Sequence, residues 1–568
     1  MASIIKKKVK GNIYYYYAET RRINGKPRIV NQKYLGTAEG VMKKISAPSR
    51  EPLYSKVLDF GDIVLLYDIA YRLGVTDIIN RCVSKRKQGL SIGEYVLVAA
   101  INRATNPTSD ACIQQWFERT VLTQIMHIDT DLLSPQNYWN NMELSDGQFL
   151  NIENVLVKKI LDTYDIDTSH LIYDATNFFT YINTKQDSEL AKRGQCKSKR
   201  NDLKIVGLSM MVSPDHSIPL LYETYPGNRN DAAQFKVMLN SLKSRYRQIT
   251  DKQADITVVF DRGNNAEDNI ILLESEDCPM HYVGGLKRNQ CDELFEVHDS
   301  EYSELSGIKG ARAFRRTMKV FGRDMTVVTV FNQNLYNGQM QGIMLNIEKT
   351  IQKLSELQAK LNARRVGEIK KGKKPTEASV EKQVVKILST EFMKDIFTYI
   401  ISSAAPGDIP LLDFNLDESA FLHLQTTILG KTVLFTNRHE WSNEEIVTAY
   451  RSAWKIEHAF RQMKDTSHLT VRPIFHWTDP KIKVHIFYCV LAYRLCCLLK
   501  KELDDAGIHD SLVDRILDDM KLHKYVITVM GNSKSDIITS YTNPTELTSK
   551  ILDKYNLKDK YLSCFKSS

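Results

Sequence analysis

Residues 170–181 read HLIYDATNFFTY, and two further apolar runs follow at 203–212 (LKIVGLSMMV) and 218–225 (IPLLYETY). All three are rich in β-branched and aromatic residues, and the turn residues Ser213-Pro214-Asp215 separate the last two, which is typical of antiparallel strands. A helical pattern at 231–247 and a short apolar run at 256–260 come next. Three antiparallel strands, a crossover helix and a parallel strand predict an α/β fold.

This element order is that of an RNase H-like core, whose mixed sheet has the strand order 3-2-1-4-5. At about 150 residues per domain, a chain of 568 residues has room for further domains. We predict a basic β-rich segment at 1–50, a helical domain at 51–165, the first part of the core at 166–290, an inserted α+β domain at 291–430, the second part of the core at 431–510 and a helical tail at 511–568.

The inserted domain is predicted from a change of pattern. Residues 317–331 are typical of a β-hairpin, and 344–361 place Ile347, Ile351, Leu354 and Leu361 on one helical stripe. A basic turn then leads to a second helix near 379–388. We therefore expect a helical hairpin with a structural rather than a catalytic role.

Positive charge is concentrated at the N-terminal end. Residues 1–50 contain twelve Lys and Arg against Glu19 and Glu39, a net charge of +10, while the whole chain carries +9. Three short strands are predicted there, at 12–19, 23–30 with a turn at Asn24-Gly25, and 32–35. With Tyr14 to Tyr17 among the basic residues, we expect an aromatic, basic sheet that binds a polyanion. A basic arm that only keeps the protein soluble is the alternative.

The nine cysteines are scattered except for one adjacent pair, and no C-x-x-C spacing occurs. This excludes a disulfide framework and a cysteine zinc site as organising features and fits a reducing compartment. The longest apolar stretch, 486–499, contains Arg494 and is too short to span a bilayer. We expect an intracellular, soluble protein.

Residues 441–464, WSNEEIVTAYRSAWKIEHAFRQMK, predict one long amphipathic helix. Ser442 and Glu445 have the spacing of a capping box, and Trp441 and Ile446 have that of a hydrophobic staple. The apolar residues recur at spacings of three and four, which predicts a stripe that faces the core.

One polar face of this helix is also defined by spacing. Tyr450, Glu457 and Lys464 are seven residues apart, so they drift by only about 20° per step and lie beside the apolar stripe. Glu457 could be an ordinary solvated residue. It gains interest because Asp174 lies in the first predicted strand and Asp261 ends the fourth.

In an RNase H-like sheet the first and fourth strands are parallel neighbours, about 4.8 Å apart. Asp174 and Asp261 would then lie side by side, and two such carboxylates repel each other unless a cation lies between them. With Glu457 approaching from the helix, three carboxylates would make a hard oxygen site for Mg²⁺ or Mn²⁺.

With these pieces in place, the sequence resembles the DDE-type transposases of prokaryotic insertion sequences, in the branch with a Tyr-Arg-Glu-Lys signature helix and a domain inserted before the final Glu. The matching segments span most of the chain. They are YDATNFF around Asp174, GQCKSKRNDLKIVGLSMMVS and IPLLYETYPGNRND within 194–231, VVFDRG around Asp261, YRSAWKIEHAFRQMK around Glu457, and VRPIFHWTDPKIKVHIFYCVLAYRL at 471–495.

The resemblance implies roles for these residues. Asp174, Asp261 and Glu457 would be the catalytic, metal-binding triad, with two Mg²⁺ or Mn²⁺ ions as cofactors. Tyr450 and Lys464 belong to the signature, and Lys464 would contact DNA phosphate. The DNA-binding candidates are Tyr450, Arg461 and Lys464 on the signature helix and Lys6, Lys7, Lys8, Arg21 and Arg22 in the basic segment.

The signature departs from the family pattern at one position. Its arginine should lie three residues after the tyrosine, where this chain has Ala453. Arg451 is close in sequence but about 160° away around the helix. The role of that arginine in holding DNA is therefore in doubt here.

We thus expect an insertion-sequence transposase that binds terminal inverted repeats, cuts DNA and joins it to a target, by a cut-and-paste route. Its partners would be double-stranded DNA and a second copy in a homodimer, in the cytoplasm at the nucleoid, and domains 1–50 and 51–165 would bind DNA. A transposase-derived DNA-binding protein without catalysis and an RNase H-like nuclease are the alternatives. ATP hydrolysis is disfavoured, because Gly430-Lys431-Thr432 lacks the first P-loop glycine and precedes a strand-like run.

Overall fold

The computed structural model describes residues 2–23, 26–46, 52–84, 89–183, 185–195, 200, 202–249, 256–276, 279–405, 407–465, 467–509, 512–530 and 537–562. The strands are β1 Ala2–Val9, β2 Asn12–Ile23, β3 Lys26–Gly36, β4 Pro52–Asp59, β5 His170–Phe179, β6 Ile205–Val212, β7 Pro219–Pro226, β8 Thr257–Phe260, β9 His281–Gly285, β10 Ser303–Glu304, β11 Ala311–Val320, β12 Arg323–Asn332, β13 Phe397–Ser402, β14 Leu411–Leu416, β15 Lys431–Thr436, β16 Lys524–Met530 and β17 Ile537–Tyr541.

The helices of the first half are α1 Ala38–Ser46, α2 Gly61–Leu73, α3 Val75–Cys82, α4 Ile92–Thr105, α5 Asp110–Phe117, α6 Leu122–Ile125, α7 Pro135–Asn141, α8 Asp146–Thr163, α9 Asp231–Ile249, α10 Glu267–Leu273 and α11 Asp292–Phe295. Those of the second half are α12 Gln333–Arg365, α13 Glu377–Ile387, α14 Met393–Ile396, α15 Glu418–His423, α16 Asn443–Arg451, α17 Trp454–Gln462, α18 Asp479–Asp505, α19 Val513–Lys521, α20 Glu546–Tyr555 and α21 Leu557–Leu562.

A mixed sheet forms the centre of the molecule. Within the described residues its nine strands have the order β10-β11-β12-β15-β9-β8-β5-β6-β7. β8 runs parallel to β5 and β9, and the other neighbours are antiparallel. β6 is buried along its whole length, which explains its nearly continuous apolar sequence. The strands predicted at 170–181, 203–212, 218–225 and 256–260 are confirmed, each within one or two residues.

The predicted hairpin also forms, as β11 and β12, but it lies in a different place. β12 pairs with β15, so the hairpin extends the central sheet rather than belonging to a separate domain at 291–430. β12 is buried on both faces from Met325 to Val330, as is typical of a strand inside a sheet rather than at its edge. The remaining insertion is helical and small: α12 to α15 with the two-stranded pair β13-β14.

The two predicted helices of the insertion are confirmed, although α12 is much longer than expected. Its buried stripe contains Ile347, Leu354 and Leu361, as predicted. Ile351 is exposed instead, because only one narrow face of α12 packs against the rest of the insertion. A second hydrophobic core, separate from the main one, holds this region together.

The N-terminal sheet is a three-stranded antiparallel meander, β1-β2-β3. β1 was not predicted, and β2 extends further than the expected 12–19. The predicted turn at Asn24-Gly25 lies outside the described residues. α1 packs against β2 and β3.

Two predictions about the flanks of the chain are wrong in part. Residues 52–59 form β4, although 51–165 was expected to be helical, and 511–568 contains β16 and β17 besides helices. These strands pair as β17-β16-β4, so the tail completes a sheet that begins ahead of the helical domain. Ser91 and Glu94 form a capping box at the start of α4, a helix that is buried along most of its length.

α18 is the central helix of the main core. It is the one described helix long and apolar enough to cross a membrane, yet 94% of its most apolar window is buried inside the protein. It packs against α2, α4, α19 and β7. It therefore has the character of a core helix.

Candidate active site

The register of β5 and β8 aligns two of the predicted carboxylates. Their paired positions end with Ile172 opposite Val259, and two residues further along each chain come Asp174 and Asp261. Neighbouring strands lie about 4.8 Å apart, so these two positions are adjacent across the sheet.

Both aspartates lie on the same face of the sheet. Phe235 of α9 packs against Tyr173 and Phe260, with ring centroids 4.5 Å and 4.8 Å apart, and so marks the opposite face. Because side chains alternate along a strand, the next residue of each chain points to the other face. α17 packs there over β5, and α16 over β8, β9 and β15.

Asp261 is held where β8 ends. Its Oδ1 accepts a hydrogen bond of 2.7 Å from the backbone N–H of Arg262 and begins a short 3₁₀ turn. The hydroxyl of Tyr450 donates to the same Oδ1 at 3.1 Å. Asp261 is exposed and Asp174 is half-buried, so solvent reaches the pair.

Tyr450 reaches Asp261 because the backbone beneath it is glycine. A Cβ on Gly285 would lie 2.6 Å from the tyrosine hydroxyl oxygen, closer than a side chain tolerates. Burial, and then the charge of Asp261, raise the pKa of Tyr450 above its ordinary value. The charge of Glu457 raises it further, which indicates that this carboxylate lies in the same electrostatic environment.

The predicted single helix at 441–464 is wrong in one respect, because it is broken in the middle. α16 ends at Arg451 and α17 begins at Trp454, so Ala453, at the signature arginine position, lies in the intervening turn. The Ser452 hydroxyl donates to the Ala449 carbonyl at 2.5 Å, a contact that bends helices. The predicted capping box of Ser442 and Glu445 is confirmed.

Lys464 anchors the far end of the same face. Its ammonium donates to the Thr176 hydroxyl on β5 and lies 5.5 Å from the Phe178 ring centroid. Tyr450 and Lys464 thus both reach the edge where β5 and β8 carry their aspartates. Glu457 is midway between them in sequence and is exposed.

The three carboxylates are not gathered into a cage. Among the described residues, no group of three or more His, Cys, Asp and Glu is arranged to hold one metal ion. The donor set still suits a divalent cation in kind, since carboxylate oxygens are the ligands that Mg²⁺ and Mn²⁺ prefer. Both hydrogen bonds to Asp261 use Oδ1, and Oδ2 accepts none from the described residues.

A groove beside Asp174 contains Lys464 together with two cations that the sequence did not single out, Arg229 and Arg472. It has a volume of about 900 Å³ and is lined by positions 175–177 and by the cations Arg229, Lys464 and Arg472. Arg229 is positioned through a buried chain, since its Nη1 donates to Gln234 at 2.8 Å and Gln234 donates to Ser209. The residues at 226–230 are typical of a turn, but nothing in their pattern predicts that Arg229 lines this groove.

The other predicted DNA-binding residues are exposed, and Arg461 follows Glu457 by one helical turn. Arg461 is exposed on α17, and all five basic candidates of the N-terminal sheet are exposed as well. Strand alternation puts Lys6, Lys8 and Arg21 on one face and Lys7 and Arg22 on the other. Lys7 lies 5.0 Å from the Tyr16 ring centroid and donates to Gln32, so it is the most constrained of the five.

Comparisons with known proteins point to one family. The family model described as the transposase DDE domain matches residues 165–494, more than half of the chain. That span includes both aspartates, Glu457 and Lys464. No curated protein matches the chain.

Among solved structures, the chain is similar to the cryo-EM structure of a piggyBac transposase synaptic complex with hairpin DNA. The sequence identity is 9% and the TM-score 0.39, over 89% of this chain and 85% of that chain. The family model is the stronger finding because it matches this sequence directly. The chain belongs to the DDE transposase family, a family of DNA transposases.

Proposed function

We propose that the protein is the transposase of an insertion sequence, which binds terminal inverted repeats, cuts the DNA and joins the freed end to a target by a cut-and-paste route. Family membership implies a polynucleotidyl transferase or nuclease. The observation that carries the proposal is the register of β5 and β8, which aligns Asp174 with Asp261 on the face covered by α16 and α17.

The fold that we propose for this catalytic part is RNase H-like. In its support, the run β7-β6-β5-β8-β9 has the order 3-2-1-4-5 when its strands are numbered along the chain. In that arrangement Asp174 belongs to the first strand, Asp261 follows the fourth, and Glu457 comes from the helix packed over them.

Asp174, Asp261 and Glu457 are the residues that would hold the metal ions. Two divalent cations, when bound, would activate the attacking oxygen and stabilise the leaving 3′ oxygen of the phosphodiester. Because Tyr450 already holds Oδ1 of Asp261, the side chain keeps one orientation and presents Oδ2 to a ligand. Glu457 would complete the set by turning its exposed carboxylate toward the aspartates.

The cations of this chain would position the DNA. Phosphoryl transfer needs mainly alignment and charge neutralisation from the protein, with no covalent intermediate. Lys464, fixed on β5 through Thr176, would hold a phosphate next to Asp174. We also propose that two copies of the chain pair the two ends of the element.

The test is to incubate the protein with labelled element ends and target DNA, with Mg²⁺ and with a chelator. Wild type should give cut and joined products only with Mg²⁺. Asp174→Asn, Asp261→Asn and Glu457→Gln should each lower cleavage by more than about 1,000-fold, since removing a group that stabilises transition-state charge costs about 10²–10³ and these groups act together. Binding to the ends, measured by gel shift, should change less than about twofold.

Two variants serve as matched controls. Asp413→Asn changes an exposed strand aspartate on β14, and Glu381→Gln changes an exposed helical glutamate on α13, so both should cleave like wild type. Full cleavage by any one triad variant would remove that residue from the triad. Products that are cut but never joined would favour a nuclease, and binding without any cutting would favour a DNA-binding protein.

A further inference from the structure

A row of exposed aromatic rings continues from the groove beside Asp174. Beyond β5 the chain passes through Tyr181, and the segment after α17 runs alongside it with Phe475 and Trp477. These three side chains are 49%, 52% and 46% exposed. Large rings left in solvent as a contiguous row indicate a binding surface rather than incidental exposure.

Backbone pairing keeps this row in place. Thr180 forms a bridge with Ile474, and the Tyr181 N–H donates to the Ile474 carbonyl at 2.9 Å. The Tyr181 and Phe475 rings lie 5.9 Å apart as a result. Trp477 is supported from beneath by Trp139, with centroids 4.0 Å apart and an angle of 28° between the rings.

Cations lie at the end of this row that adjoins the groove. The Arg472 guanidinium lies 5.8 Å from the Phe179 ring centroid, and its Nε has no hydrogen-bond partner among the described residues. Lys464 and Arg229 line the same groove as Arg472, and Lys464 lies nearer to Asp174, since it contacts Thr176 on the same strand. Asp231 also lines the groove, so the cations outnumber the acids there.

We propose that Phe179, Tyr181, Lys464, Arg472, Phe475 and Trp477, here called the aromatic strip, bind an unpaired DNA strand that leads to Asp174. The inference rests on the proposed function and adds the form of its substrate. In a duplex the faces of the bases are covered by their neighbours, so exposed rings would gain nothing. An unpaired strand can stack its bases on the rings while the cations take its phosphates.

The experiment measures binding of full-length protein, without divalent ions, to three fluorescein-labelled probes. They are an oligothymidylate of about 12 nucleotides, within the usual site size for single strands, an abasic oligomer with the same number of phosphates, and a duplex of the same length. Wild type should bind the oligothymidylate more tightly than the abasic oligomer, because only the first has bases to stack.

Phe475→Ala and Trp477→Ala should each weaken oligothymidylate binding about 5- to 100-fold and leave the abasic oligomer unchanged. Arg472→Gln should weaken both and reduce the slope of log affinity against log salt by about 0.7, the value for one phosphate contact on a single strand. Ile400→Ala is the control, since Ile400 is 68% exposed but lies on β13 in another sheet, outside the segments expected to bind DNA.

The inference is overturned if Phe475→Ala and Trp477→Ala bind the oligothymidylate like wild type, or if they weaken both single-stranded probes equally. An equal loss with Ile400→Ala would also overturn it. If Trp477→Ala lowers the thermal midpoint, Tyr181→Ala replaces it. Cleavage of element ends by wild type is measured separately, so absence of cutting with Mg²⁺ counts against the proposed function alone.

Discussion

At the scale of single residues, the hydrogen bond from Tyr450 to Asp261 is the contact most open to test. Tyr450→Phe keeps the ring and removes the donor, so Asp261 loses one of its two constraints. A hydrogen bond to a charged group contributes about 1.5–3 kcal/mol, and the exposure of Asp261 favours the lower end. We expect single-turnover cleavage to fall about tenfold while the affinity for DNA ends stays unchanged.

The same variant separates two roles for Tyr450. The family resemblance implies a contact with DNA, whereas the structure shows a contact with Asp261. If affinity falls together with cleavage, the tyrosine acts through DNA and the positioning role is wrong. Tyr399→Phe, on β13 in the helical insertion, controls for loss of a phenolic hydroxyl elsewhere.

The three acids and Tyr450 differ in how far the sequence could predict them. Asp174 and Asp261 each follow an apolar run of strand type, so their alignment could be predicted from the strand order alone. The contact of Tyr450 could not, because it depends on the missing Cβ of Gly285 on a strand far away in sequence. The spacing of Tyr450, Glu457 and Lys464 predicted a shared face but assumed an unbroken helix.

At the scale of elements, the break between α16 and α17 shows what periodicity misses. The apolar stripe keeps its spacing through Ser452 and Ala453, so nothing in the pattern marks the turn. The cause is local, a serine hydroxyl bonded to the carbonyl three residues earlier. The hairpin β11-β12 is a similar case, since its own sequence predicts two strands but not which sheet they join.

α18 is held in the core by a buried ion pair. Arg494 donates to both carboxylate oxygens of Glu153 on α8, at 3.2 Å and 2.9 Å, and the two side chains are 1% and 6% exposed. Removing one partner leaves the other charge buried and unpaired, which costs about 3–5 kcal/mol. Arg494→Met should therefore shift the urea unfolding midpoint strongly downward.

The double variant Arg494→Met/Glu153→Leu should recover most of this loss, because two apolar side chains can replace a buried pair. Asp202→Asn is the surface control, since its partner Arg200 and Asp202 are both largely exposed. That change should cost less than about 1 kcal/mol. If Arg494→Met also lowers the free energy of unfolding by less than about 1 kcal/mol, the ion pair contributes little to the stability of the core.

At the scale of the whole molecule, strands from the two flanks of the chain pair in one sheet. β16 pairs with β4 across more than 460 residues, and Phe60 packs against Tyr541 with ring centroids 4.9 Å apart. Such pairing leaves no local signal in the sequence, so the pattern of 511–568 predicts only a helical tail. For a chain that ends at Leu522, we expect a much lower yield of soluble protein and greater sensitivity to protease. The reason is that β4 and Phe60 would then be exposed to solvent.

A chain that ends at Leu562 is the matched control, as it retains every described element. It should be as soluble and as protease-resistant as the full chain. If the shorter chain instead remains folded by circular dichroism and resists protease, the sheet β17-β16-β4 is dispensable. The tail would then be an appendage, as the sequence pattern indicated.

The net positive charge is concentrated in residues 1–50, and most of the basic residues there lie on the N-terminal sheet, which has two faces. Lys6, Lys8 and Arg21 share one face, where Arg21 is directly opposite Arg28, and like charges in that position repel. Lys7, on the other face, already contacts Tyr16 and Gln32. Bound phosphates would relieve the repulsion, so we expect the first face to bind the DNA backbone.

The double variant Lys6→Gln/Lys8→Gln should therefore weaken binding to duplex DNA and lower the salt slope by up to about 1.8, which is about 0.9 per lost phosphate contact. Lys7→Gln removes one charge of the same kind from the other face and should change the slope by less than half as much per residue. Fluorescence anisotropy over a salt series measures both. Equal effects per lysine would mean that the sheet acts only through its net charge, since a solubilising or diffusely attractive arm has no preferred face.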